Sequence, residues 1–180
     1  MDAVIVPTFS ITANITIQVC RAEDVRNLEW FGALTEYRHV IERAFTRQQM
    51  GDVVMLNAML NDFPIGQVWI DLYKQREQQI GVLWALRVLL PLQNLGVGTQ
   101  LIGAAENVLR GRGFGWAELD VERDNIAAKR LYERLGYAAV GEFENRWSYL
   151  KPTSQTPDDA ILNEERIEVV SHEWKMRKQL

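Results

Sequence analysis

Ile15, Ile17 and Val19 alternate with Thr16 and Gln18, and this period of two predicts a first strand over 15–20. Past Arg21 the spacing changes to that of a helix, with Asp24 or Glu23 near its start and Leu28, Phe31 and Leu34 on its apolar side. Thr35 is placed to cap a second helix, whose stripe is Tyr37, Val40, Ile41, Ala44 and Phe45. Gly51-Asp52 breaks that pattern. Three apolar runs follow, Val53–Leu60, Ile65–Tyr73 and Ile80–Leu90, separated by polar turns at Asn61–Pro64 and Lys74–Gln79. They predict an antiparallel meander.

Helical spacing returns over Thr99–Arg112, where Leu101, Ile102, Ala105, Val108 and Leu109 share one side and Gly111, Gly113 and Gly115 end the run. A strand is predicted over Trp116–Val121, and Arg123-Asp124-Asn125 caps a helix over Ile126–Leu135 that closes on Gly136-Tyr137. Tyr137–Phe143 and Ile167–Met176 read as further strands, Lys151–Arg166 as a polar surface loop, and residues 1–14 as a loose N-terminus. The order predicts an α+β fold with a mixed, mostly antiparallel sheet of about seven strands flanked by about four helices. The strand–helix–strand passage in its second half calls for at least one parallel pair.

Composition narrows the classes. At 180 residues the chain suits a single domain over 1–180. A net charge of −4 gives no electrostatic case for nucleic acid or an anionic membrane surface. The single cysteine, Cys20, excludes an internal disulfide and a cysteine-rich zinc site, and its apolar surroundings predict a buried thiol. His39 and His172 have no partners at metal-ligand spacing, so no metal is expected. No apolar run is long enough to span a bilayer, and the first residues lack a basic segment, so a cytoplasmic location is expected.

The richest chemistry lies in Gln93-Asn94-Leu95-Gly96-Val97-Gly98-Thr99, between a strand and a helix. Two glycines one residue apart let the backbone turn tightly and present several N–H groups to one point. The helix start adds its own unpaired N–H groups and the positive end of its dipole, which makes a pyrophosphate site. A phosphate-binding Walker loop is ruled out, because Thr99 follows Gly98 with no lysine between. The dinucleotide fingerprint fits poorly, since the third glycine is Gly103, although Asp120 stands at about the right distance to meet a ribose. Coenzyme A is the third reading.

The spacing Q-x-x-G-x-G, preceded by Leu-Trp-Ala-Leu-Arg-Val, resembles the acyl-CoA loop of the GNAT superfamily of N-acetyltransferases. The segment Leu119–Tyr137 is similar to the second signature of that superfamily: a strand, an asparagine (Asn125), then a helix carrying L-Y-x-x-x-G-[FY] from Leu131 to Tyr137. The likeness is closest to the branch that acetylates protein N-terminal amines, including ribosomal-protein alanine acetyltransferases. It runs from about Ile15 to Tyr137 and weakens beyond Asn145.

The resemblance implies a set of duties. The loop Gln93, Asn94, Leu95, Gly96, Val97, Gly98 and Thr99 would hold the coenzyme A pyrophosphate, with the N–H groups of Leu95 to Thr99 in contact. The backbone of Leu86, Arg87 and Val88 would pair with the pantetheine, and Asn125 would support that arm. Tyr132 matches the general acid that protonates the leaving thiolate; a phenol of pKa ~10 suits a thiolate whose thiol has a pKa of about 8.5. Asp120 is the candidate base, one methylene shorter than the glutamate the branch tends to carry, so a bridging water is expected between it and the amine. Glu122 is assigned to the opposite strand face, outside the site. Trp30 and Phe31 are candidates for a wall of the acceptor site, while Trp69, Trp84, Trp147 and Tyr149 are expected in the core. The implied activity is acetyl transfer from acetyl-CoA to a primary amine, on a small molecule or a peptide, in a ternary complex. The competing readings are a non-catalytic acyl-CoA-binding sensor and a nucleotide-dependent oxidoreductase. Proteins of this kind commonly form homodimers through a sheet edge or the C-terminal strand.

Overall fold

The computed structural model describes residues 13–152 and 164–180. Its strands, in chain order, are β1 (Ile15–Val19), β2 (Val53–Leu60), β3 (Phe63–Gln75), β4 (Ile80–Val88), β5 (Trp116–Glu122), β6 (Ala138–Pro152) and β7 (Glu164–Gln179). They make one sheet in the order β1-β2-β3-β4-β5-β7-β6. Only β4 and β5 run parallel; every other neighbouring pair is antiparallel. The helices are α1 (Arg38–Gln49), α2 (Val97–Gly111) and α3 (Ile126–Arg134), joined by an eight-residue 3-10 helix over Ala22–Glu29. This is a single α+β domain.

The strand period of two sorts the side chains into two cores. Val54, Leu56, Ala58, Val68, Ile70, Leu119 and Val121 pack under α2 and α3, where Leu101, Ile102, Ala105 and Leu109 are buried. Cys20, Val53, Met55 and Trp69 face the other way, onto the 3-10 helix through Leu28 and onto α1 through Ile41 and Ala44. Cys20 is buried, as its surroundings in the sequence suggest.

The first helical region departs from expectation. It is 3-10 rather than α, although Asp24 does brace its start by accepting from the Arg21 N–H at 2.8 Å. It stops at Glu29 because Trp30, Phe31 and Gly32 all take positive φ, at 46°, 58° and 95°. Leu34 therefore never joins its apolar side. Thr35 does not cap α1; its Oγ1 donates to Glu29 Oε2 at 3.1 Å, and α1 begins at Arg38. The helix α2 starts two residues before the expected Thr99, because Gly96, at φ 86°, makes the turn and serves as its N-cap.

The C-terminal part departs further. The strands expected over Tyr137–Phe143 and Ile167–Met176 are both longer, and β6 pairs β7 from Ala138↔Arg177 to Pro152↔Glu164. Both ends of the expected 151–166 loop are thus strand; residues 153–163 lie outside the described residues. The loose N-terminus expected over 1–14 likewise falls outside them as far as residue 12.

Close packing is tightest where α2 crosses the start of β4. A Cβ built on Gly81 would lie 2.1 Å from Leu109 Cδ2 and 2.7 Å from Cδ1, and Leu109 is fully buried with nowhere to swing. Gly81→Ala is expected to destabilise the fold by about 1–3 kcal/mol through overpacking. Because the two sites touch, chemical denaturation should show that Gly81→Ala with Leu109→Ala costs less than the sum of the single changes.

Candidate active site

The site begins with a parting of strands. β4 and β5 pair only over Ile80–Leu83 and Trp116–Leu119, yet β4 runs on to Val88 and β5 to Glu122. Between Trp84 and Arg87 the β3–β4 register slips: Trp69 faces Trp84 and Gln67 faces Arg87, so an extra residue bulges out of β4. Ala85 absorbs it at φ 52°. A bulge bends and twists its strand. Here it carries β4 away from β5 and leaves the β5-facing edge of β4 beyond Leu83 without a strand partner.

A recess of about 560 Å³ occupies the gap. Ala117, Leu119 and Val121 point into the core beneath α2 and α3, so Glu118, Asp120 and Glu122 share the other face. Tyr132, on α3, reaches the recess from the core side; Asp120 reaches it from the opposite side of the sheet. Only the parting lets both groups line one recess.

Burial sets the chemistry of both. Tyr132 is 7% exposed, and its phenol pKa is pushed up to about 12 by desolvation. Its hydroxyl donates to no group among the described residues, and its ring meets that of Tyr137 edge-on at 6.1 Å. Desolvation also raises the Asp120 carboxyl above the ordinary aspartate range, against the pull of Lys175, whose Nζ lies 3.2 Å from Oδ1. Glu118, fully buried one turn of the pleat away, is the opposite case. Gln75 Nε2 at 2.7 Å, Lys175 Nζ at 2.9 Å and Arg177 at 2.6 and 2.9 Å together outweigh its burial and hold it below the usual range.

The glycine loop lies just past the end of β4. Leu90–Leu92 forms a 3-10 turn, Gln93 Nε2 donates to the Val88 carbonyl at 3.0 Å, and Asn94 and Gly96 take φ of 61° and 86°. The first-turn N–H groups of α2, on Val97, Gly98 and Thr99, have no intrahelical acceptor, and no acidic side chain stands in that turn. A Cβ on Gly98 would make only ordinary contacts, 3.7 Å from Leu131 and 4.0 Å from Val88, which places the loop beside both β4 and α3. Free N–H groups and a helix N-terminus together fit a pyrophosphate.

Of the residues singled out from sequence, Leu86, Arg87, Asp120, Asn125 and Tyr132 come together around the recess. The loop stands apart from its lining, and Leu95, Gly96 and Val97 border a separate hollow against β1. Asn125 is the N-cap of α3, its Oδ1 accepting from the Ala128 N–H at 3.1 Å.

Three assignments need correction. Glu122 shares the face of Asp120 and lines the recess, since residues two apart on a strand point the same way. Trp30 and Phe31 do not line the recess: Trp30 is buried, with an Nε1 hydrogen bond to the Pro64 carbonyl, and Phe31 is 90% exposed, stacked on Phe63. Trp147 and Tyr149 are not core. They form an aromatic cluster with Tyr37, at centroid separations of 5.7–6.2 Å, beside the recess. Sequence reasoning also missed Tyr37, Asn145, Ser148 and Glu173 as lining residues. The available signal was the alternation of Asn145, Trp147 and Tyr149, which a longer β6 would have exposed.

Residues 21–137 match the family model described as the acetyltransferase (GNAT) family. The chain belongs to the GNAT acetyltransferase family. It is an acyl-CoA-dependent N-acyltransferase. Among curated protein sequences, none matches this chain. Solved structures share the GNAT fold at low identity. The ribosomal-protein-S18-alanine N-acetyltransferase of Escherichia coli is 19% identical, with a TM-score of 0.64 over 92% of this chain and 94% of that one. The ribosomal-protein-alanine N-acetyltransferase of Brucella melitensis is 13% identical, with a TM-score of 0.67 over 92% and 99%. The PaiA N-acetyltransferase of Thermoplasma acidophilum, solved in complex with coenzyme A, is 17% identical, with a TM-score of 0.61 over 93% and 99%.

Two predictions follow from the local geometry. Asn125→Ala should cost about 1 kcal/mol in denaturant unfolding through loss of the cap, whereas Asn125→Asp, which still accepts from Ala128, should restore that stability. Lys175→Met should raise the Asp120 pKa further, because it removes the cation that favours the carboxylate. Carbon-detected NMR titration of the Asp120 carboxyl would show that shift, and an unmoved titration would contradict it.

Proposed function

We propose that this enzyme transfers an acetyl group from acetyl-CoA to a primary amine by direct attack within a ternary complex. The observation that carries the reading is the convergence of Tyr132 and Asp120 on one recess from opposite faces of the sheet. Acetyl-CoA supplies an acyl thioester, at whose carbonyl carbon a C–N bond forms while the C–S bond breaks.

The remaining work belongs to the chain. Leu95 to Thr99 offer N–H groups and the positive end of α2 to the pyrophosphate. Gln93 braces that loop by tying it to Val88. The unpaired edge of β4 from Leu86 to Val88 is suited to the peptide-like pantetheine arm, and Asn125, with its Oδ1 used by the cap, keeps Nδ2 for the same arm. Asp120 accepts the amine proton, directly or through one water; burial makes it a stronger base than a surface aspartate. The Tyr132 Oη proton goes to the departing sulfur, and a phenol pKa near 12 keeps that proton in place at neutral pH. Cys20 is no acyl carrier. It sits in the other core with Leu28 and Ile41, its thiol pushed up to about 11, which supports direct transfer over a covalent intermediate. The proposal includes a cytoplasmic setting, in keeping with that lone reduced thiol.

Tyr132→Phe is expected to lower turnover roughly tenfold or more while leaving acetyl-CoA affinity nearly unchanged. Thermal shifts with acetyl-CoA and NAD(P)H side by side, followed by thiol-release assays, check both halves. Unaltered turnover removes Tyr132 from the mechanism, and stabilisation by NAD(P)H alone overturns the donor.

A further inference from the structure

The recess is electrically lopsided. On the β5–β7 wall, Glu122 faces Glu173 across the strands and Asp120 stands two residue pairs away, opposite Lys175. Glu173 is buried and accepts from Asn145 Nδ2 at 2.9 Å and Ser171 Oγ at 2.7 Å, neutral donors that fix it without neutralising it. Like charges directly opposite each other are unfavourable, so a cation between Glu122 and Glu173 is favoured there, beside the one that Lys175 already supplies to Asp120.

The β4 wall carries the reverse. The bulge at Ala85 turns Arg87 onto the same sheet face as Trp84 and Asp120, and its guanidinium lies 4.9 Å over the Tyr37 ring. Among the described residues its N–H groups find no hydrogen-bond acceptor and no carboxylate in contact. Glu36 is the acidic group whose charge is felt there, without forming an ion pair. Its cross-strand neighbour Gln67 is fully buried with both amide atoms unpaired, so the one acceptor on that side, Gln67 Oε1, is not bonded to it. A guanidinium offers five N–H donors and no acceptor, and holding it half-buried without a partner is costly. The aromatic ring offsets only part of that cost.

Resting on the acyltransferase reading above, we infer that the acceptor is an amine that also carries a carboxylate. Its amine lies toward Asp120 and Glu173, and its carboxylate is received by Arg87 beneath Tyr37. Asp120 and Trp84 are the positions next after the Leu83–Leu119 pair, and Arg87 lies beyond Trp84 by two residues of β3 across the bulge, ~7 Å along the strand. Long side chains shorten that span to the size of a small bifunctional molecule. A planar fork of N–H donors matches a carboxylate in pairs. Polyamines and aminoglycosides would set a second cation against Arg87 and are selected against. Two sources share the favoured chemistry: a free amino acid, and a peptide whose N-terminal residue is acidic.

Matched acceptors test this. Thiol release from acetyl-CoA is followed with an amino acid against its carboxamide, a peptide beginning with Asp against one beginning with Asn, and a diamine. In at least one pair, the carboxylate acceptor should exceed its amide in kcat/KM by roughly tenfold or more, chiefly through KM. Which pair shows the preference identifies the source. In Arg87→Gln that ratio should collapse toward one, while Arg87→Lys should keep part of it. Equal use of carboxylate and amide, a preference for the diamine, or a ratio unmoved in Arg87→Gln overturns the inference and leaves the acyltransferase standing. Failure of acetyl-CoA to stabilise the protein, with no thiol released by any amine, overturns the underlying reading instead.

Discussion

Everything at the site depends on two parallel strands that stop pairing while both continue. A strand edge inside a protein is a row of donors and acceptors that must find partners. Beyond Leu83 and Leu119 neither strand answers the other, although β3 still holds the far side of β4 and β7 still holds the far side of β5. The gap is therefore rigid on both banks and open in the middle. That geometry suits an extended, amide-bearing guest, which lies in the gap as a strand would. It also breaches the sheet, so a phenol from the α3 side and a carboxylate from the α1 side reach one volume.

The two banks are fixed by different physics. The β4 bank is held by packing: α2 drives Leu101, Ile102, Ala105 and Leu109 against the sheet, and Gly81 lets Leu109 sit directly on the backbone where β4 still pairs β5. The β5 bank is held by charge. Glu118 draws donors from β3 and β7 into one buried knot just below the parting, through Gln75, Lys175 and Arg177. Such knots contribute little net stability, since desolvation offsets attraction, but breaking one strands a buried charge. The knot's value is positional. Lys175 belongs both to it and to Asp120, so the candidate base is tied to the same fixed point as its strand.

Local pattern explains what could be read ahead of the structure. The strand–loop–helix at Gln93–Thr99 and the asparagine-capped helix bearing Tyr132 are contiguous segments whose chemistry follows from neighbours in sequence. The meander and the parallel pair followed from period and order. The Ala85 bulge has no such signature, because nothing in Trp84-Ala85-Leu86-Arg87 marks an extra residue; only the partner strand defines it. Trp30 and Phe31 hid their left-handed turn, since bulky residues seldom take positive φ. The length of β6 was hidden too. From Glu144 onward that strand pairs only with the part of β7 that lies beyond β5, away from the core whose burial would have sharpened its alternation.

Those failures fall on one side of the gap. The half proposed for the donor is made chiefly of backbone groups in two short motifs, so it is legible in sequence. The half proposed for the acceptor is made of side chains from separate elements that line one recess: Tyr37 ahead of α1, Arg87 on β4, Asp120 on β5, Trp147 on β6 and Glu173 on β7. No local pattern joins them, and none is required by the fold. A family can keep the first half and redraw the second, because exchanging a side chain on the α1 face leaves the loop, the cap and the parted strands intact. Such side chains are joined only by long-range contacts, and the half-buried guanidinium of Arg87 over the Tyr37 ring, lining one recess with Asp120 and Glu173, is the plainest of them.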